Sequence, residues 1–424
     1  MKLIDLKNKE ITANFETALH EGLAKDGGLY NPEVIPSFTA AEKELLKQSD
    51  FREVAEKTIT KLLEGEIPEA DLNSIVSRAF NFGISIVDVG EMKVMELFHG
   101  PTFAFKDVAA QFLASCINYY TQKRNTPTNI VVATSGDTGG AIAHAFGGLK
   151  NIKVFVLFPK GRVSELQREQ LTRCKSNVEP IEIDGSFDNC QKLVKQALND
   201  ESLGMHISSA NSINIGRLLP QTTYYVYAAS RLGEYEAIIP TGNLGNATAA
   251  LMAHKMGLGP SHLTLANNEN DAIARYSKSG NFQPVDTIET LSNAMDVGNP
   301  NNFPRFMELL NQDIGTFRDL VDAFSVTDKT TVKTIKNVYE KHHYLLDPHT
   351  AVAWYAAESS SSDLPKVVVS TASPMKFASE IKETTGIDVD TEQLVSSLED
   401  TGSRFSQLGS NYDEFRYFLS SHAV

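Results

Sequence analysis

Lys106 lies in the segment His99-Gly-Pro-Thr-Phe-Ala-Phe-Lys-Asp107 and is flanked by Phe103, Ala104, Phe105 and Val108. The pattern predicts that this lysine opens an apolar helix directly after a strand. A lysine so placed has its charged form disfavoured twice. Desolvation lowers its pKa, and the positive end of a helix opposes an ammonium. A neutral amine is what Schiff-base chemistry with a carbonyl needs. The competing reading is a surface lysine whose stem lies along apolar neighbours while its head pairs with Asp107.

Four further segments carry chemistry of a complementary kind. Ala133-Thr-Ser-Gly-Asp-Thr-Gly-Gly140 offers hydroxyls and exposed N–H groups suited to an anion or carboxylate. It reads equally as an N-capped turn, with Thr134, Ser135 or Asp137 as the cap. Pro240-Thr-Gly-Asn-Leu-Gly-Asn-Ala-Thr248 has two glycines that let the backbone approach a ligand, with successive N–H groups forming a phosphate nest. Both Gly242 and Gly245 are expected where a side chain would collide with a bound phosphate or force an unfavourable φ. Ser370-Thr-Ala-Ser-Pro374 places hydroxyls at a strand end, where one of them suits a ring nitrogen or a helix cap. Ala210-Asn-Ser-Ile-Asn-Ile-Gly-Arg217 puts an arginine fork, suited to carboxylate or phosphate, ahead of a tyrosine-rich helix. There is no HExxH, no GxSxG, no Walker loop and no dinucleotide GxGxxG. His342 and His343 are adjacent on an expected helix, point in different directions and make a poor metal pair.

These segments need strands and helices to bring them together. Short apolar runs at Val94–Phe98, Asn129–Ala133, Ile152–Phe158, Val178–Ile183, Ala237–Pro240, His262–Ala266 and Lys366–Ser370 lack strict polar alternation. That is the pattern of strands buried on both faces. Between them, Asp107–Lys123, Thr138–Leu149, Glu165–Cys174, Asp188–Leu198 and Ala247–Met256 read as helices. The alternation implies an α/β fold with mostly parallel sheets and flanking helices. In such sheets ligands gather beyond the carboxyl ends of the strands, where all five segments fall. Residues 1 to about 92 read as turns and helices, including helical stretches at 51–64 and 71–80. Thr330–His343 reads as a surface helix with Val332, Ile335, Val338 and Tyr339 on one face. The expected division is an N-terminal domain over 1–92, a smaller subdomain with the lysine over 93–220, and a larger one over 221–424. The last would carry the phosphate loop and the C-terminal helices.

The bulk properties narrow the partners. The chain has 424 residues, too many for one compact core, with 42% hydrophobic and 22% charged residues. A formal charge of -14 argues against nucleic acid. The start, MKLIDLKNKEITANFE, has no apolar core of a signal peptide, and no apolar run is long enough to span a membrane. Cys116, Cys174 and Cys190 form no CxxC pair and suit a reducing compartment, so a cytoplasmic protein is expected.

Taken in order, HGPTFAFKD, ATSGDTGG, ANSINIGRLLPQ, PTGNLGNATA, DPHTA and STASPMKF resemble the threonine synthase family, as does EGLAKDGGLY at residues 21–30. The similarity runs from about residue 13 to past residue 380. The resemblance implies a tryptophan-synthase-β-like, pyridoxal-phosphate-binding fold with an added N-terminal domain. It implies that Lys106 carries pyridoxal 5'-phosphate covalently, that Gly242, Asn243, Leu244, Gly245 and Asn246 cradle the cofactor phosphate, and that Thr371 faces the pyridine nitrogen. Ser135, Gly136, Asp137 and Thr138 would meet the amino-acid end of the substrate. Asn211, Asn214 and Arg217 would meet its phosphate. The implied reaction turns O-phospho-L-homoserine and water into L-threonine and phosphate, in a monomer or homodimer, with Lys106 as the base. Many relatives read TAHPAKF where this chain has Ser373 in place of the histidine. The rival readings are a threonine or serine dehydratase of the same fold, and a non-catalytic relative that binds a phosphorylated ligand.

Overall fold

A computed structural model describes all residues, 1–424. Fourteen strands follow one another as β1 (Leu3–Asp5), β2 (Thr12–Ala13), β3 (Tyr30–Pro32), β4 (Ser85–Val89), β5 (Met92–Glu96), β6 (Thr128–Ala133), β7 (Ile152–Pro159), β8 (Val178–Asp184), β9 (Ile207–Ser209), β10 (Glu236–Pro240), β11 (His262–Asn267), β12 (Val321–Ser325), β13 (Lys366–Ser370) and β14 (Ser406–Gly409). They form three sheets. A small antiparallel sheet has the order β2-β1-β3. A six-stranded sheet has the order β12-β11-β10-β13-β5-β4, parallel except for β4. A five-stranded, wholly parallel sheet has the order β14-β8-β7-β6-β9.

The central strands are apolar on both faces, as helix-covered parallel strands must be. Every residue of β6 and β10 is buried. The nearly all-apolar helix Pro348–Ser359 buries Ala351, Val352, Ala353 and Trp354 with Ile238 of β10 and Val368 of β13. Helices Lys106–Arg124 and Thr222–Leu232 bury their faces in the main core. No helix is long and apolar enough to cross a membrane.

The sheets depart from the expected boundaries. β4 and β5 form a hairpin around Gly90, at φ +62°, and belong to the six-stranded sheet, whereas β4 was expected in the N-terminal domain and most of β5 in the lysine subdomain. At the other end β14 adds to the five-stranded sheet, and Phe415 and Leu419 of helix Tyr412–His422 pack into its core. Each of the two large sheets therefore draws on distant stretches of chain. The N-terminal region has a sheet of its own besides its helices, and two of those helices open with reciprocal caps, Thr39 with Glu42 and Asp50 with Glu53. The helix expected at Thr330–His343 runs Asp328–His342. It buries Thr331, Thr334, Ile335 and Val338, while Tyr339 faces solvent. The spacing i, i+3, i+4, i+7 therefore starts one residue earlier, on a threonine methyl.

Arg305 ties the N-terminal region to the rest of the molecule. It is fully buried, and its five N–H donors reach the carbonyls of Tyr30 (2.9 and 2.7 Å), Ser212 (3.0 Å) and Ile213 (2.6 Å) and Oδ1 of Asn302 (2.9 Å). Arg305→Ala would strand all four acceptors in the interior. We expect it to lower unfolding stability by at least about 3 kcal/mol, read as a shift in the urea midpoint.

Candidate active site

The five segments meet in one cavity between the two large sheets. Phe105, Lys106, Ser135, Asp137, Thr138, Asn211, Arg217, the stretch Thr241–Asn246 and Thr371 all line it. Four of the segments follow the carboxyl ends of β6, β9, β10 and β13, and the lysine turn begins just after β5.

The turn that presents Lys106 is pinned from several sides. Thr102 donates its N–H (2.9 Å) and its hydroxyl to the carboxylate of Asp107. Phe103 takes φ +57°, an unusual value for an aromatic residue and one that a well-held site can sustain. Phe105 donates its N–H to the carbonyl of Thr371 (2.8 Å), and Ser373 donates to the carbonyl of Phe103 (3.0 Å). The hydroxyl of Tyr224 adds a bond to the carbonyl of Phe105 at 2.6 Å. The lysine turn and the hydroxyl turn after β13 are thus stitched together. Ser373 itself caps the short turn Pro374–Phe377 through Met375 N–H.

Lys106 is the first residue of its helix, and its side chain, 13% exposed, lies mostly inside the protein rather than along the surface. Its anionic neighbour is not Asp107 but Asp137, whose Oδ2 lies 3.6 Å from Nζ. Burial lowers the lysine pKa below its ordinary value. The charges of Lys376 and Arg217 push the same way, and Asp137 opposes them. Asp137 is held below the usual carboxylate range, despite its burial, chiefly by Lys376 and then by Lys106.

The polar turn after β6 divides its labour. Thr134, not Ser135 or Asp137, is the cap: its hydroxyl accepts from Gly136 N–H (2.9 Å) and Gly139 N–H (2.8 Å). Gly136 takes φ +129°, and a Cβ there would come within 2.4 Å of the Gln167 side chain. Its N–H is spent on the cap, and Asp137 is spent on the two lysines. Ser135 and Thr138 remain as the hydroxyls facing the cavity.

The loop Gly242–Asn246 is a nest of free donors. None of its N–H groups finds an acceptor within the protein. Leu244 stands in the left-handed region at φ +59°, and helix Gly245–Lys255 starts directly behind it. Convergent N–H groups at a helix N-terminus form an anion site. Gly242 faces the backbone of Met295, where a Cβ would come within 2.8 Å of Cα. At Gly245 neither a protein contact nor φ requires a glycine: the nearest atom to a Cβ there is Ser212 Cβ at 3.4 Å, and its φ is not positive. Asn246 is fixed by Gln221 (Nδ2 donating at 3.1 Å) and by the Tyr225 hydroxyl. Asn243 Oδ1 accepts from Asn301 N–H at 3.1 Å.

The segment after β9 only partly reaches the cavity. Asn211 lies in the wall, but its amide is engaged in both directions with Ala133, accepting at 3.0 Å and donating at 2.7 Å. Asn214 does not reach the cavity. It is fully buried, caps Gly216 N–H (2.9 Å) and donates to the carbonyls of Leu19 (2.8 Å) and Ser209 (2.9 Å). It shapes the turn, so the expectation that it meets a substrate phosphate is corrected. Arg217 does line the cavity. One of its five donors goes to the carbonyl of Ala210 at 2.6 Å, and Nε has no protein partner. Burial pushes its pKa down to about 10.

Two site residues lay within segments noted in the sequence without being given a role. His349 of the DPHTA segment lines the cavity. Its Nδ1 meets Asp347 Oδ1 at 2.8 Å and its Nε2 accepts from Ala294 N–H at 3.2 Å, which fixes the tautomer. Lys376 of the STASPMKF segment is the buried second cation beside Asp137. Gln167, which donates to Asp137 at 3.0 Å, stood in no segment at all.

Comparison with known proteins is decisive. The family described as "Pyridoxal-phosphate dependent enzyme" matches residues 93–373. The one described as "Threonine synthase N terminus" matches 3–80, and "Threonine synthase, C-terminal" matches 350–418. A threonine synthase of Serratia marcescens is 37% identical over 428 residues, covering 99% of both chains. The chain belongs to the threonine synthase family. A threonine synthase from Escherichia coli, known from its crystal structure, superposes with a TM-score of 0.93 at 36% identity over 100% of both chains. A pyridoxal-phosphate-bound threonine synthase from Brucella melitensis gives 0.91, also at 36% identity, over 100% of this chain and 99% of that one. Maize serine racemase, at 16% identity and a TM-score of 0.54, shares the fold alone.

The residues fit the cofactor of the threonine synthases. A buried amine of lowered basicity and a cradle of unpaired N–H groups line the same cavity. Gly242→Ala tests the cradle. Pushing against the Met295 backbone, it should weaken pyridoxal-phosphate affinity about 5- to 150-fold, while Gly245→Ala changes it little. Equilibrium titration of the cofactor-free chain checks both.

Proposed function

We propose that this protein converts O-phospho-L-homoserine and water into L-threonine and phosphate, with pyridoxal phosphate held by Lys106, the Gly242–Asn246 loop and Thr371. The observation that carries the reading is the buried Lys106 amine in the same cavity as the free N–H groups of that loop. When bound, pyridoxal phosphate supplies an electron sink for charge developing next to the substrate amine.

The protein's part is binding and proton transfer. The Lys106 amine, whose basicity burial lowers, would take the proton from Cα and then from Cβ. Phosphate leaves from Cγ, and water adds at Cβ. Ser135 and Thr138 offer hydroxyls to the substrate carboxylate. Asp137 does not, because a carboxylate would repel it; it is engaged by Lys376 and Gln167. Arg217 is the cation for the leaving phosphate, with four donors beyond the one spent on Ala210. The bound substrate would exclude water from a cavity whose walls are already largely buried, which strengthens each of these contacts. A cytoplasmic location fits three buried, unpaired cysteines.

The dehydratase reading is separated by products. With O-phospho-L-homoserine the protein should give threonine and phosphate in equal amounts, while L-threonine alone releases ammonia far more slowly. Ammonia release from threonine as the faster reaction would favour a dehydratase.

A further inference from the structure

Two lysines compete for one buried carboxylate in this site. Lys376 is 1% exposed, and its Nζ lies 3.1 Å from Asp137 Oδ1. The same Nζ donates to the carbonyl of Thr102 at 2.7 Å and to Gln170 Oε1 at 2.9 Å. An ammonium has three N–H donors, and Lys376 has three acceptors. It is fully satisfied only as the charged form. Lys106 stands differently. Its ion-pair partner is Asp137, at the longer distance of 3.6 Å. Asp137 also accepts from Gln167, so it is already well supplied without Lys106.

We propose that Lys376 is a positioning residue: its ammonium takes Asp137 as its own counter-ion and so leaves the Lys106 amine uncharged and free to react. The other charged groups around the pair agree with this division. Arg217 adds a second positive charge facing Lys106, while His349, held neutral by the Ala294 N–H on its Nε2, adds none. Asp107, next to Lys106 on its helix, is engaged by Thr102. The elements concerned are far apart in the chain: the turn after β13, the turn after β6 and the helix that begins at Lys106. Without Lys376, Asp137 would be a lone buried carboxylate, and Lys106 would be drawn into charging to neutralise it. The cation that never meets the substrate thereby sets the state of the one that does. The inference rests on reading Lys106 as the reactive lysine of the proposed function.

The test is the pH dependence of Lys106 acetylation by trace acetic anhydride in the full chain freed of cofactor, read by mass spectrometry of the peptide. No cofactor chemistry or substrate enters, so a failed product assay and a failed labelling result stay distinct. Removing the neighbouring positive charge in Lys376→Met should raise the Lys106 labelling midpoint by about one pH unit or more. Asp137→Asn removes the opposing charge and should lower it. The double variant Asp137→Asn/Lys376→Met has no stranded buried charge, and its midpoint should lie above that of Asp137→Asn alone. If Lys376→Met does not fold, this last comparison decides. A Lys106 midpoint that Lys376→Met leaves in place, or equal midpoints in Asp137→Asn and the double variant, would overturn the proposal.

Discussion

Lys106→Ala is expected to reduce turnover of O-phospho-L-homoserine by at least about 10,000-fold, because the substitution removes both the covalent attachment and the base. The fold should survive. Lys106 contributes one buried contact, to Asp137 at 3.6 Å, and Asp137 keeps Lys376 and Gln167 in its absence. We expect the unfolding free energy to change by no more than about 1 kcal/mol, as for a substitution that leaves no unpaired charge behind. Borohydride treatment of the intact holoenzyme should fix the cofactor to the peptide containing Lys106, and in the variant to no single peptide. Specific fixation at another lysine, or near-normal turnover in a folded variant, would remove Lys106 from its role.

The second large effect is at Arg217. Its replacement by alanine should lower kcat/KM for O-phospho-L-homoserine by about 10- to 150-fold, the range for losing a charged hydrogen bond to a bound anion. The affinity for pyridoxal phosphate should stay nearly unchanged, because the cofactor cradle is built from backbone N–H groups of a different loop. A modest loss of stability should accompany the change, since the carbonyl of Ala210 loses the donor that reaches it at 2.6 Å. If cofactor affinity falls in step with kcat/KM, Arg217 is a structural residue, and the leaving phosphate is met elsewhere.

Much of the site was legible because turn chemistry is local. The apolar frame around Lys106, the glycines and asparagines of Gly242–Asn246, and the hydroxyls at the ends of β6 and β13 all announce themselves by residue type. Which polar side chains point inward is a different matter. Asn211 and Asn214 belong to the same segment and look alike in sequence, yet one lines the cavity and the other is consumed by capping Gly216 and bonding Leu19. Lys376 was hidden because a lysine's burial depends on acceptors from distant chain, here Thr102, Asp137 and Gln170. Gly245 shows the same limit: two glycines in one loop invite one explanation, but only Gly242 is pressed against backbone.

The fold followed a similar rule. The long apolar runs at β6, β7, β11 and β13 were found nearly to the residue, because continuous Val, Ile and Leu over such lengths has few other uses. The three residues of β9 and the four of β14 are too short to carry a period. The expected boundary cut between β4 and most of β5 because sheet membership is set by pairing to β13, a strand some 270 residues away by position, and no local pattern encodes that. Tyr339 misled for a simpler reason: a tyrosine at the edge of an apolar face is counted as core by type, while the helix seats a threonine there instead.

The central claim is that carbon–oxygen cleavage at Cγ and water addition at Cβ take place in this cavity. The most direct measurement runs the reaction of purified holoenzyme with O-phospho-L-homoserine in water enriched in heavy oxygen, and weighs the products by mass spectrometry. The account predicts threonine carrying one solvent oxygen at its hydroxyl and an equal amount of phosphate carrying none. Homoserine with solvent oxygen in the phosphate, or 2-oxobutyrate and ammonia in place of threonine, would contradict it.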